Sequence, residues 1–228
     1  MLNDLKAAVC EANLALVVKG LVVETFGNVS AIDRATGNVV IKPSGVAYDA
    51  MRPAQMVVVS LATGKVVEGD LKPSSDTPTH LVLYRAFARI AGIVHTHSLY
   101  ATAWAQARRE VPALGTTHAD YFHGPVPVTR AMTSREIKSD YEVNTGKVIV
   151  ERLGKCKELP SGVLVASHGP FAWGTTVAKA VENAFALEYC ARLASETLCI
   201  NPHVKPMPVA LLDRHFLRKH GATAYYGQ

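Results

Sequence analysis

The chain has 228 residues, 49% hydrophobic and 19% charged, a balance that excludes disordered and fibrous classes and leaves an ordinary globular domain able to bury its own core. Its formal charge of +5 comes from lysines and arginines spread along the chain, which gives nucleic-acid binding little support and suits an anionic small substrate. Cys10, Cys156, Cys190 and Cys199 lack C-x-x-C spacing, the first residues lack a signal peptide's basic region and apolar core, and no run approaches 18 apolar residues. The sequence therefore predicts a protein of a reducing cytoplasm, neither exported nor membrane-spanning and without a disulfide framework.

Taken in order, residues 3–19 read as an amphipathic helix that Asn3 or Asp4 can cap and Gly20 stops. The period then shortens. Residues 21–26, 29–32 and 38–42 are short β-type runs separated by turns, and residues 56–61 and 65–68 flank the turn Thr63-Gly64, so hairpins and antiparallel pairing are expected. A helix opens near Thr77-Pro78, with proline suited to its first turn. A strand follows in Gly92-Ile93-Val94-His95-Thr96-His97, then a helical piece over 101–107 and helix over 134–153, broken around Asn144-Thr145-Gly146. Residues 162–166 form a further buried strand ending in the turn Ser167-His168-Gly169-Pro170. Long helices are expected over 176–197 and 209–220, the second stopped by Gly221. No repeat, linker or internal boundary divides the chain, which predicts a single α/β domain over 1–228 with a mixed or mostly antiparallel sheet.

His95 and His97 carry the first chemical signal. On a strand, residues i and i+2 share a face, and two imidazoles so placed can converge on one ion. From this pair alone, hydrogen-bonded histidines without a metal are the commoner reading. His168, in its Gly-Pro turn, and Asp76, before Thr77-Pro78, are candidate partners. A turn residue bonding to backbone and a plain helix N-cap are the alternatives. Three polar turns, Gly27-Asn28-Val29-Ser30, Lys42-Pro43-Ser44-Gly45 and Lys72-Pro73-Ser74-Ser75, combine backbone N–H groups, hydroxyls and lysines in a way that suits phosphate oxygens, although such residues also build ordinary loops. Asp120, Glu142, His215 and Tyr226 are the acid–base candidates. By default Tyr226 would be a frayed chain end, and His215 with Arg218 a solvated helix face.

These motifs together resemble the L-ribulose-5-phosphate 4-epimerase family of the class II aldolase superfamily. The resemblance runs through Gly27-Asn28-Val29-Ser30-Ala31, Ile41-Lys42-Pro43-Ser44-Gly45-Val46, Pro73-Ser74-Ser75-Asp76-Thr77, Ile93-Val94-His95-Thr96-His97-Ser98 and Ser167-His168-Gly169-Pro170-Phe171-Ala172-Trp173-Gly174. The run Thr116-Thr117-His118-Ala119-Asp120-Tyr121 and the terminal Tyr225-Tyr226-Gly227-Gln228 favour the epimerase branch over the aldolases. Phe26 departs from the pattern, standing where tryptophan is expected.

The resemblance implies a three-layer α/β/α sandwich with a mostly antiparallel central sheet. It implies that Asp76, His95, His97 and His168 bind one divalent ion, usually zinc. Gly27, Asn28, Lys42, Ser44, Gly45, Ser74 and Ser75 would bind phosphate. Asp120 and Tyr226 would be the acid–base pair, supported by Thr116, Glu142, His215 and Arg218. It further implies a homotetramer in which Tyr226 reaches a neighbouring subunit's site. The implied reaction interconverts L-ribulose 5-phosphate and D-xylulose 5-phosphate. Because C4 of this ketose has no acidic C–H, inversion there requires breaking and remaking C3–C4, with acid–base groups on opposite sides. An aldolase that releases the aldehyde fragment is the alternative, and a non-catalytic relative of the adducin head type is the rival from another class.

Overall fold

The computed structural model describes residues 2–221, 224 and 225. Seven strands form one sheet in the order β4-β3-β2-β1-β5-β7-β6. They are β1 (Asn28–Asp33), β2 (Asn38–Ile41), β3 (Val57–Ser60), β4 (Val66–Glu68), β5 (Gly92–His95), β6 (Gly162–Leu164) and β7 (Pro170–Gly174). Every pairing between them is antiparallel. The helices are α1 (Leu2–Val18), α2 (Thr77–Ala86), α3 (Leu99–Ala107), α4 (Thr116–Ala119), α5 (Ser134–Lys138), α6 (Tyr141–Leu153), α7 (Val177–Ile200) and α8 (Val209–His220).

Alternation along the strands sets the layers, since successive side chains leave opposite faces of a sheet. Ile32, Ile93, Phe171 and Trp173 pack with Leu81, Tyr84, Ile149 and Leu153 from α2 and α6. Val29, Val94 and Ala172, one residue out of phase, pack with Ala12 and Leu16 of α1 and Ala180, Val181 and Ala184 of α7. The result is the expected α/β/α sandwich with an antiparallel sheet. No helix among the described residues is long and apolar enough to cross a membrane.

Four local expectations are corrected. Residues 21–26 form no strand: Leu21 is buried beside Leu16 and Ala180, while Glu24 adopts φ 53°, which breaks an extended run. Leu21 and Val22 pack into the core, and Val23 and Phe26 stay largely exposed. The break in the 134–153 helix falls at Ser139 and Asp140, not at 144–146. The strand carrying the histidines ends at His95, so His97 lies just beyond it. A strand absent from the sequence reading, β7, starts at Pro170 and runs beside β5 with Phe171 opposite His95. Proline is tolerated at the first position of a strand, where its missing N–H breaks no ladder bond.

Gly146 lies inside α6 because that helix presses on α2: a Cβ there would stand 2.7 Å from Val82 Cβ. One turn nearer both helix starts, Thr79 Oγ1 donates to the Glu142 carbonyl at 2.6 Å. The two contacts align α2 and α6 in the same direction, with their first turns side by side. Gly146→Ala should overpack this seam and cost about 1–3 kcal/mol of stability, read from urea denaturation. An unchanged midpoint would mean that the helices are free to separate.

Candidate active site

His95 ends β5 opposite Asn28 of β1 on one side and Phe171 of β7 on the other. Its ring stacks on Phe171 at 4.2 Å between centroids, and its Nδ1 donates to the Pro170 carbonyl at 3.0 Å. That bond fixes the tautomer and leaves Nε2 with the free lone pair. His97 follows two residues on, its Nε2 3.2 Å from His95 Nε2. His168 arrives from the β6–β7 turn, held by a bond from its N–H to the Val165 carbonyl and by Ser167 at φ 62°. One nitrogen from each of the three rings lies within 4.8 Å of the others.

Asp76 begins α2 but does not cap it with its side chain. Its Oδ2 accepts instead from Asn28 Nδ2 at 2.7 Å and lies 3.9 Å from His95 Nε2. Gly27, at φ +83°, lets the chain pass close to the strand end, since a Cβ there would meet the His95 carbonyl oxygen at 2.9 Å. Burial pushes the Asp76 carboxyl up. The His95 and His80 imidazoles and the Asn28 amide outweigh it and hold the group below its ordinary value.

Burial lowers the pKa of His95 and His97. It also takes His168 down to about 4, helped by its two histidine neighbours. Neutral rings beside an ionised carboxylate are the protonation states that a cation requires. Nδ1 of His168 and Oδ1 of Asn28 are buried without a hydrogen-bond partner among the described residues. The three-nitrogen, one-oxygen donor set therefore fits a divalent ion of the zinc type.

His80, one turn into α2, is fully buried, with Nδ1 2.7 Å from Ser30 Oγ. Burial lowers it to about 3. Between its ordinary value near 6.5 and that value the unfolded chain binds a proton that the folded chain refuses. Stability from this group is thus complete above about pH 6.5 and falls as pH drops, by up to about 1.4 kcal/mol per pH unit. Urea denaturation of the metal-free protein at pH 7 and pH 5 should show the loss, and His80→Gln should reduce the difference.

The same cavity, about 340 Å³, is also lined by Gly27, Asn28, Lys42, Ser44, Gly45, Ser74, Ser75 and Glu142. The two Lys-Pro-Ser turns are joined: Ser44 N–H donates to the Lys72 carbonyl at 2.9 Å and Ser74 N–H to the Lys42 carbonyl at 3.0 Å. Lys42 is buried, its ammonium 4.9 Å from the Tyr48 ring centre and 3.4 Å from the Thr25 and Pro43 carbonyls. Burial lowers its pKa. A desolvated cation beside hydroxyls and turn N–H groups is suited to an anion.

Asp120, His215 and Arg218 meet elsewhere, where α8 docks on α4, whose first residue Thr116 accepts from the Asp120 N–H at 3.0 Å, and none of the four lines this cavity within one chain. Asp120 Oδ1 accepts from His215 Nδ1 at 3.1 Å and from Arg218 Nη2 at 3.0 Å, with Lys219 Nζ 3.6 Å from Oδ2. Burial raises the Asp120 carboxyl, but these three cationic or hydrogen-bonding partners keep it below its ordinary value. Tyr226 lies outside the described residues. The sequence reading missed Tyr141, which lines the cavity beside Glu142, and did not foresee that Phe26 stacks on His97 at 5.9 Å. An aromatic directly before Glu142 was the available signal. Burial, then the Asp76 and Glu142 carboxylates, raise the Tyr141 phenol.

The fold and the cavity together define an α/β/α protein with a three-histidine cluster beside a buried lysine and two joined polar turns. Residues 7–195 match the family described as Class II Aldolase and Adducin N-terminal domain, and the chain belongs to that family. It is similar to a solved L-fuculose 1-phosphate aldolase, with 28% identity, a TM-score of 0.79 and coverage of 93% of this chain and 94% of that one. YgbL from Klebsiella pneumoniae shares the fold at 24% identity and a TM-score of 0.75, covering 94% and 98%. So does a sugar-phosphate aldolase from Thermotoga maritima, at 21% and 0.68, covering 90% and 98%.

Proposed function

We propose that the protein is a zinc-dependent L-ribulose-5-phosphate 4-epimerase that opens and re-forms C3–C4 of a phosphorylated ketopentose. The observation that carries this reading is the shared cavity: a histidine and carboxylate cation centre lies beside a buried lysine and two joined polar turns. A sugar phosphate needs both halves.

Asp76, His95, His97 and His168 would hold the ion, which supplies Lewis-acid stabilisation of the negative charge that develops on the ketose oxygens. The turns at 42–45 and 72–75, with Asn28 and Lys42, hold the phosphate, so that the two-carbon aldehyde fragment stays in the cavity while C3–C4 is open. Retention allows that fragment to present its other face before the bond is remade, which is how C4 inverts. Asp120 and Tyr226 take and return the proton of the C4 hydroxyl from opposite sides. Asp120 lies with α8 and away from the cavity of its own chain, which supports an arrangement in which a neighbouring subunit of a homotetramer brings these groups to the site. Thr116, His215 and Arg218 position Asp120, and Glu142 contacts the sugar.

The second reading, an aldolase that lets the aldehyde go, is favoured by the 28% identity to an L-fuculose 1-phosphate aldolase. Zinc-loaded protein incubated with L-ribulose 5-phosphate separates them. D-xylulose 5-phosphate is the expected product. Accumulation of dihydroxyacetone and glycolaldehyde phosphate would establish the aldolase, and a purified chain that binds no metal and converts nothing would point to a non-catalytic relative.

A further inference from the structure

Two aromatic rings, one from the loop before β1 and one from α6, border the histidine triad. Phe26 stacks on His97, and Tyr141 leans over His168, with centroids 6.3 Å apart and planes inclined by 33°. Both line the cavity, but only the tyrosine carries a polar group. We infer that Tyr141 is a substrate-contacting residue, its hydroxyl donating a hydrogen bond to a hydroxyl or carbonyl oxygen of the sugar bound beside the histidines. The inference rests on the proposed sugar-phosphate activity and adds a residue to it.

The backbone at Tyr141 is placed without help from its phenol. Residue 141 is the first of α6, directly after the break at Ser139 and Asp140. What fixes that turn is backbone and small-residue contact: Thr79 Oγ1 donates to the Glu142 carbonyl, Thr145 Oγ1 donates to the Tyr141 carbonyl at 2.9 Å, and Gly146 seats on Val82. A phenylalanine at 141 keeps all three. The turn is thus fixed by contacts that a phenylalanine would keep, while the phenol itself lies within hydrogen-bonding reach of the Thr145 side chain. A phenol is protonated at neutral pH, so it approaches a ligand as a donor. The neighbouring Asp76 and Glu142 carboxylates line the same cavity as acceptors, and a polyhydroxy ligand presents oxygens able to serve both kinds of partner.

The test uses full-length, metal-loaded wild type, Tyr141→Phe and Tyr141→Leu. Metal content, thermal midpoint, binding of L-ribulose 5-phosphate by calorimetry, and kcat and KM for its conversion are measured on each. Tyr141→Phe should keep the wild-type metal content and midpoint while losing about 3- to 10-fold in affinity or kcat/KM, the worth of one neutral hydrogen bond. Tyr141→Leu should lose at least as much. If wild type binds and converts the sugar phosphate and Tyr141→Phe matches it within about twofold, the inference fails while the functional reading stands. A packing role gives that same silence in Tyr141→Phe together with a lowered midpoint in Tyr141→Leu. If wild type itself neither binds nor converts the compound, the functional reading fails and takes this inference with it.

Discussion

His95→Asn is expected to strip the protein of its divalent ion and to lower kcat/KM by about 10³-fold or more, the worth of several kcal/mol of charge stabilisation. The reason lies in its position among the three rings. The three rings touch one another, His95 with centroids 5.0 Å from His97 and 4.8 Å from His168, and His95 is held by both a stacked ring, Phe171 beneath, and a hydrogen bond to the Pro170 carbonyl behind. An asparagine is too short to reach the centre of the cluster from the end of β5. Asp76 loses the nearest imidazole as well. Metal analysis and steady-state kinetics on the same preparation check the expectation, and full activity without bound metal would overturn the metal-centre reading.

Lys42→Met should separate stability from function. In the ligand-free protein the Lys42 ammonium is buried with two carbonyl contacts at 3.4 Å and the face of Tyr48, a poor exchange for the water it lost. An apolar side chain of similar length removes that cost. The thermal midpoint of the ligand-free variant should rise by about 2–4 °C, which corresponds to about 1 kcal/mol in a chain of this size. Affinity for the phosphorylated sugar should fall by about 10²- to 10³-fold, because a bound phosphate would then lack its buried cation. Calorimetric melting and substrate titration read the two effects. A variant both less stable and equally active would assign Lys42 to structure alone.

The outer strands were legible because β-branched runs separated by Thr-Gly and Gly-Asn turns have one physical solution, a set of hairpins; β1 to β4 pair accordingly. The histidine pair and the two Lys-Pro-Ser turns were legible for the same local reason. The rest depended on distant contacts. A proline after a glycine reads as a turn until β5 is beside it to pair with, so β7 was missed. Gly146 reads as a helix breaker until Val82 is seen to occupy the space that a side chain would need. That Asp76 turns from its helix toward Asn28 and His95, or that α8 closes over Asp120, is set by contacts between residues 48 and 95 positions apart, beyond what spacing can express.

The shared direction of α2 and α6 has an electrostatic result. Both helices begin at the cavity, and neither first turn is capped by its own N-cap side chain. Thr77 N–H and Tyr141 N–H bond to the Ser74 and Ser139 carbonyls, yet both helix starts keep the partial positive charge of their aligned peptide dipoles, and the Asp76 carboxylate that would offset it is turned toward His95 and Asn28. If the proposed sugar phosphate is the substrate, part of the attraction for it would be held in the backbone, where no side-chain replacement reaches it. Lys42→Met should accordingly keep a weak residual affinity that fades as salt screens the field, and substitutions along the walls can change which sugar is accepted without repelling its phosphate.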